Sequence, residues 1–179
     1  MVAPRGTAED WRRIGYGLLA GGAAGAALIV LTYLEAQLYR DLALLYFYEE
    51  TYRTLIAAGT SPGTAAELAR TYAEAKWSEA VASAALATLR AALGLYFLLG
   101  VAVAALWGLL RRIPWYVSGL GLGVLVFFVV KTLAALFGPP LPQPPAAYTA
   151  ARAAVYVGAS LLLAWLNHRE DVRRRLLLQ

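Results

Sequence analysis

The chain has 179 residues, 60% of them hydrophobic, with a mean hydropathy of +0.58 and a formal net charge of +5. That balance is far from a soluble globular domain and points to a small membrane protein with no room for a separate catalytic domain. Cysteine is absent, which excludes disulfides, thiolate metal sites, covalent haem attachment and a cysteine nucleophile. A single histidine, His168, cannot supply bis-histidine haem ligation or a histidine-rich metal site, so no cofactor is expected.

All but two of the sixteen basic residues are Arg, and Asn is used once, a composition that fits a thermophile or a GC-rich genome. The arginines gather at the ends of apolar runs. This is the pattern of membrane flanks and points away from nucleic acid.

In chain order, Thr7-Ala-Glu-Asp10 reads as a helix cap ahead of Arg12, Arg13 and the first apolar run, Ile14–Leu34. A run of about 20 residues spans a hydrocarbon core as a helix. A cleaved signal peptide has a shorter apolar region and a small-residue cleavage site, and TYLEAQLYRDL offers neither.

From Leu34 to Ala58 there is no Gly or Pro, so the sequence predicts that the first helix runs on beyond the membrane. Leu31, Leu34, Leu38, Leu42, Leu45, Tyr52 and Leu55 recur at the spacing of a coiled-coil seam. Gly59 is a helix stop, Ser61-Pro62-Gly63 a turn, and Thr64-Ala-Ala-Glu67 a capping box that opens the next helix. Residues 35–90, with their tip at 59–64, are therefore expected to form an antiparallel helical hairpin. Folding it about the tip sets Tyr52 near Tyr72, Leu38 near Leu86, Leu55 near Leu68 and Glu35 near Arg90.

Within the first arm, Leu42-Ala-Leu-Leu-Tyr-Phe-Tyr48 is apolar around the whole circumference of a helix. One partner arm covers only part of that surface, so Leu42, Leu45, Tyr46, Phe47 and Tyr48 are candidates for contact with another subunit or a second copy.

Three further apolar runs have spanning length: Ala91–Leu110, Trp115–Phe137 and about Ala147–Leu166. Backbone satisfaction in lipid makes each a helix. Arg111 and Arg112 fill the turn between the second and third, Arg169, Arg173, Arg174 and Arg175 follow the fourth, and the connector GPPLPQPPAA is uncharged. The positive-inside rule then places both termini in the cytoplasm and the hairpin outside. Trp11, Trp107, Trp115 and Trp165 stand beside these arginines as an inner aromatic belt would.

Gly17, Gly21 and Gly25 in the first span, and Gly119 and Gly123 in the third, have the small-xxx-small spacing that lets helices approach closely in lipid. Gly100, Ala104 and Gly108 repeat that spacing in the second span. Arg90, Lys131 and Arg152 sit at or inside the outer edge, with Lys131 deepest, and form a candidate pocket for an anion or a lipid headgroup. His168, in Leu-Asn-His-Arg-Glu-Asp, reads as a flanking polar residue, and the charged tail after it as a segment lying on the anionic leaflet. No phosphate-binding loop, dinucleotide fingerprint, zinc-protease helix or serine-hydrolase elbow occurs.

The fold class expected is an all-α, single-domain, four-helix membrane bundle with its first two helices extended outside as the hairpin. The role expected is that of a non-enzymatic scaffold, assembly or accessory subunit, with lipid and a membrane-complex partner or further copies of itself around it. The rival reading is a homo-oligomeric channel or carrier for a small anion or lipid headgroup, and a third is a membrane-embedded enzyme acting on lipid headgroups.

Overall fold

The computed structural model describes the backbone of residues 7–137 and 145–177, and side chains within 11–136 and 145–176. The described chain is helical: α1 is Thr7–Leu38, α2 Arg40–Ala57, α3 Pro62–Leu110, α4 Trp115–Phe137 and α5 Ala146–Leu177. Four of these helices, α1, α3, α4 and α5, are long and apolar enough to cross a membrane. The Thr7–Asp10 cap and the proline-rich connector, residues 138–144, lie outside the residues described in this detail. The chain divides into two compact units, residues 1–28 with 89–179, and residues 29–88.

The first unit is a four-helix assembly built from the start of α1, the end of α3, and all of α4 and α5. Glycine sets the distance between its helices. A Cβ placed on Gly17 would collide with the Tyr96 carbonyl, and one on Gly21 would lie 2.9 Å from Tyr96 Cβ. One on Gly25 would lie 2.6 Å from Leu89 Cδ1. As the numbers rise along α1 they fall along α3, so these two segments run antiparallel. Gly100 closes the same contact from the α3 side, whereas Gly108 faces open space.

The α4–α5 contact is made the same way. A Cβ on Gly119 would sit 2.9 Å from Leu161 Cα, and one on Gly123 would sit 2.5 Å from Val157 Cα. The five glycines that the sequence singles out thus meet other helices of the same chain. In lipid the hydrophobic effect does not drive helices together, and dispersion at this close range takes its place. The outer faces carry exposed Leu18, Leu19, Leu98, Val101, Leu125, Phe128 and Leu133, a surface suited to acyl chains rather than water.

Polar contacts set the register of this unit. The Tyr96 hydroxyl, fully buried on α3, donates to the Tyr156 carbonyl of α5 at 2.8 Å. It also lies 3.2 Å from the buried Ser160 hydroxyl. With its own proton committed to the carbonyl, the Tyr96 oxygen accepts from Ser160. A buried hydroxyl without a partner would cost about 1–3 kcal/mol, so this pairing holds α3 and α5 in one register.

In the second unit the structure corrects three expectations. The first helix does not run through to Ala58. It breaks at Tyr39, whose φ of −107° and ψ of 6° depart from the helix, and the Tyr39 N–H bonds back to the Ala36 carbonyl in a tightened turn. No Gly or Pro marks the break. Asp41, in the first turn of α2, is the local feature that suits a new helix start.

The next helix begins at Pro62, not after Thr64. Ser61 caps it, with its Oγ 3.4 Å from the Thr64 N–H and 2.8 Å from the Thr64 hydroxyl. Proline at the first helical position needs no N–H partner and brings its φ already set, which moves the start upstream of the expected box.

The seam is not buried as one face. Leu31, Tyr52 and Leu55 are half-buried, whereas Leu34, Leu38, Leu42 and Leu45 are exposed, as are Leu68, Tyr72 and Leu86. The buried positions of this unit are Ala65, Ala69 and Ala73, one stripe of α3 at four-residue spacing. Short side chains of this kind permit a close backbone approach. Gly59 does end α2 as expected. Its φ is +86°, its N–H bonds to the Ile56 carbonyl, and the Thr60 N–H bonds to the Leu55 carbonyl, the paired bonds of a Schellman motif.

The glycine contacts predict opposite outcomes for two neighbouring substitutions in α4. Gly123→Ala forces backbone against backbone and lowers stability by about 1–3 kcal/mol. Gly121→Ala, where a Cβ meets nothing within 4 Å, leaves it unchanged or slightly higher. Thermal unfolding of both variants in one detergent, followed by circular dichroism, checks the contrast.

Candidate functional site: a clasp and a cleft at the arginine-rich end

At one end of the bundle, α1, α3 and α5 converge on the Glu170-Asp171 pair. Arg13, on the first turns of α1, is buried. Its Nη1 donates to Asn167 Oδ1 at 3.2 Å and its Nη2 to Asp171 Oδ1 at 3.4 Å. Its guanidinium lies 4.3 Å from the centre of the Trp107 ring, and the Trp107 indole N–H donates to Asp171 Oδ2 at 2.9 Å. One carboxylate thus accepts from two helices, and one tryptophan serves as cation–π partner and hydrogen-bond donor together.

Asn167 is fully buried and also donates to the Leu163 carbonyl at 2.9 Å, which satisfies both ends of its amide. Glu170 takes the outer half of the clasp. Arg12 donates to it at 2.8 Å, the Tyr16 hydroxyl at 3.4 Å and Arg174 at 3.3 Å.

These contacts explain why α5 continues to Leu177 instead of ending near Leu166. Glu170 and Asp171, which read in sequence as tail, are held against α1 and α3. The Arg174 contact with Glu170 spans one helical turn and supports the extension. Among the described residues no group of three or more His, Cys, Asp or Glu stands together as a metal site.

Beside the clasp lies a cleft of about 340 Å³. The end of α3 supplies Trp107 and Leu110, and the turn that follows supplies Arg111, Ile113 and Pro114. The start of α4 gives Trp115 and Ser118, and α5 gives His168, Asp171, Val172 and Arg175. Sequence reasoning passed over His168 as a flank, and here it lines a cavity. The Ser118 hydroxyl donates to the Trp115 carbonyl at 2.9 Å, so its oxygen is left as an acceptor.

The residues singled out from sequence are distributed as follows. Leu42, Leu45 and Tyr46 are exposed on α2, while Phe47 and Tyr48 are half-buried. Rings pair along that helix, Tyr46 with Phe47 edge-on and Tyr48 with Tyr52 stacked, both at 5.8 Å. Arg90 on α3 and Lys131 on α4 are exposed, and Arg152 on α5 is half-buried with its Nε buried. None of the three lines the cleft described above.

The clasp was missed in sequence because its members are spread over α1, α3 and α5. Two signals were nevertheless available. Asn167 is the chain's single asparagine, and Glu170-Asp171 is an acidic pair set among arginines.

No family model matches the chain, and no curated protein or solved structure matches it.

Removing one partner of the clasp tests its weight. Asp171→Ala leaves buried Arg13 and the Trp107 N–H without their acceptor and lowers stability by about 2–3 kcal/mol. Arg12→Ala removes a side chain that is 64% exposed and changes stability by about 0–1 kcal/mol. Unfolding of both variants in the same detergent, read by tryptophan fluorescence, measures the difference.

Proposed function

We propose that the chain is a multi-pass membrane protein with both termini cytoplasmic, and that residues 35–90 form an antiparallel helical hairpin outside the bilayer. In this reading its role is non-enzymatic, that of an assembly or accessory subunit that holds a partner protein through α2. The supporting observation is that α2 has no buried residue and exposes Leu42, Leu45 and Tyr46 to 68%, 55% and 64%. Large apolar side chains clustered on one helix face outside lipid mark a contact surface. The arginine and tryptophan clusters at the chain's turns support the orientation. The buried alanine stripe of α3 supports close pairing of the hairpin arms.

The occupant that suits this face is an apolar helical surface of a membrane-complex partner, flanked by basic residues. On α2, Asp41, Glu49 and Glu50 outnumber Arg40 and Arg53, and Arg53 is already engaged by Glu49 at 3.1 Å. A second copy of α2 would bring like charges together, whereas a basic rim complements them.

The hairpin orientation predicts protease cleavage near Gly59 from the outer face of sealed membranes and none from the cytoplasmic face. The docking role predicts that Leu45→Glu shifts the protein from a larger complex to a smaller species in native electrophoresis while membrane insertion is retained. Unchanged migration overturns the role. Wild-type migration as a whole-number multiple of the chain's own mass overturns the partner reading in favour of self-association.

A further inference from the structure

The clasp leaves the neighbouring cleft with an uneven charge distribution. Asp171 is the single carboxylate in its lining, and both its oxygens already accept, from Arg13 and from Trp107. Its charge is therefore directed into the bundle and compensated there. Among the described residues, Arg111 and Arg175 have no carboxylate partner, and His168 adds a third nitrogen base to the same lining. The remaining wall is apolar or aromatic: Leu110, Ile113, Pro114, Val172, Trp107 and Trp115. Two guanidiniums beside an apolar wall match a ligand that has a phosphate at one end and hydrocarbon at the other.

The position of the cleft agrees with that chemistry. It lies at the end of the apolar stretches of α3, α4 and α5, where the tryptophans stand and where lipid phosphates are found. Phospholipid phosphates occupy both faces of a bilayer, so the fit does not depend on which face this end meets.

We propose that the cleft between the α3–α4 turn and α5 binds the phosphate of an anionic phospholipid through Arg111 and Arg175, with Trp107 and Trp115 against the apolar part of the headgroup region. The site is built from residues of the first unit alone and does not rest on the docking role proposed for α2. A diffuse attraction of anionic lipid to basic flanks is the competing explanation. It differs in one respect: it depends on how many charges are present, not on which ones. Arg112 and Arg173 lie in the same two segments, are exposed and do not line the cleft, so they serve as matched controls.

The experiment uses the full chain in a neutral detergent, titrated with phosphatidylglycerol, phosphatidylcholine or inorganic phosphate. Native mass spectrometry counts bound lipid, and a brominated phosphatidylglycerol quenches Trp107 and Trp115 when it enters the cleft. One saturable phosphatidylglycerol is expected, with quenching. Each of Arg111→Gln and Arg175→Gln should weaken binding about tenfold, the loss of one charge-assisted contact. Arg112→Gln and Arg173→Gln should change it less than about twofold, the range of a screened surface charge.

Inorganic phosphate that displaces the lipid at millimolar concentration keeps the phosphate site but overturns its assignment to a membrane lipid. Equal losses in cleft and control variants overturn the site itself, as does binding without saturation. A circular dichroism spectrum matching the wild type confirms that each variant is folded, and quenching by the brominated lipid gives a second readout should binding be too weak for mass spectrometry.

Discussion

The Glu170-Asp171 pair organises the arginine-rich end of this protein. Asp171 on α5 accepts from Arg13 on α1 and from Trp107 on α3, and Arg13 also lies over the Trp107 ring. In a bundle whose helices meet through glycines and apolar side chains, non-directional packing by itself would tolerate sliding or rotation of one helix on another. A charge-assisted bond with two donors does not, because displacement leaves a buried guanidinium without compensation. The Tyr96 contacts with Tyr156 and Ser160 repeat the device further along α3 and α5.

The glycines complement the polar contacts. Close approach at Gly17, Gly21 and Gly100, and at Gly119 and Gly123, gives dispersion energy without specifying an axial position closely. The polar groups supply that position. Because Asp171 is engaged toward the interior, the cleft outside it is lined by Arg111 and Arg175, which among the described residues have no carboxylate partner. Structural clasp and cleft share Trp107 and Asp171.

The unit formed by residues 29–88 follows a different rule. Its buried positions are alanines, and most of its leucines are exposed. The heptad-like rhythm of Leu31 to Leu55 was real in the sequence, but a rhythm identifies a face and not its destination. The alanine stripe permits a closer backbone contact than leucine does, and the leucines are thereby left for something else. The break at Tyr39 divides that rhythm between two helices, so Leu38 and Leu42 no longer continue a single seam.

Helices were legible from sequence because each is a local property. Apolar runs of spanning length must be helical in lipid, Trp115–Phe137 coincides with α4, and Gly59 ends α2 because only a residue without a Cβ readily takes its φ. Glycine spacing likewise announced close contact from sequence alone. Which helix each stripe meets, the convergence of Arg13, Trp107, Asn167 and Asp171, and the cleft that admits His168 were decided by tertiary structure. Trp107 stands 64 positions from Asp171, and Arg13 stands 158 from it, so these residues acquire a shared chemistry only where the folded helices bring their ends together.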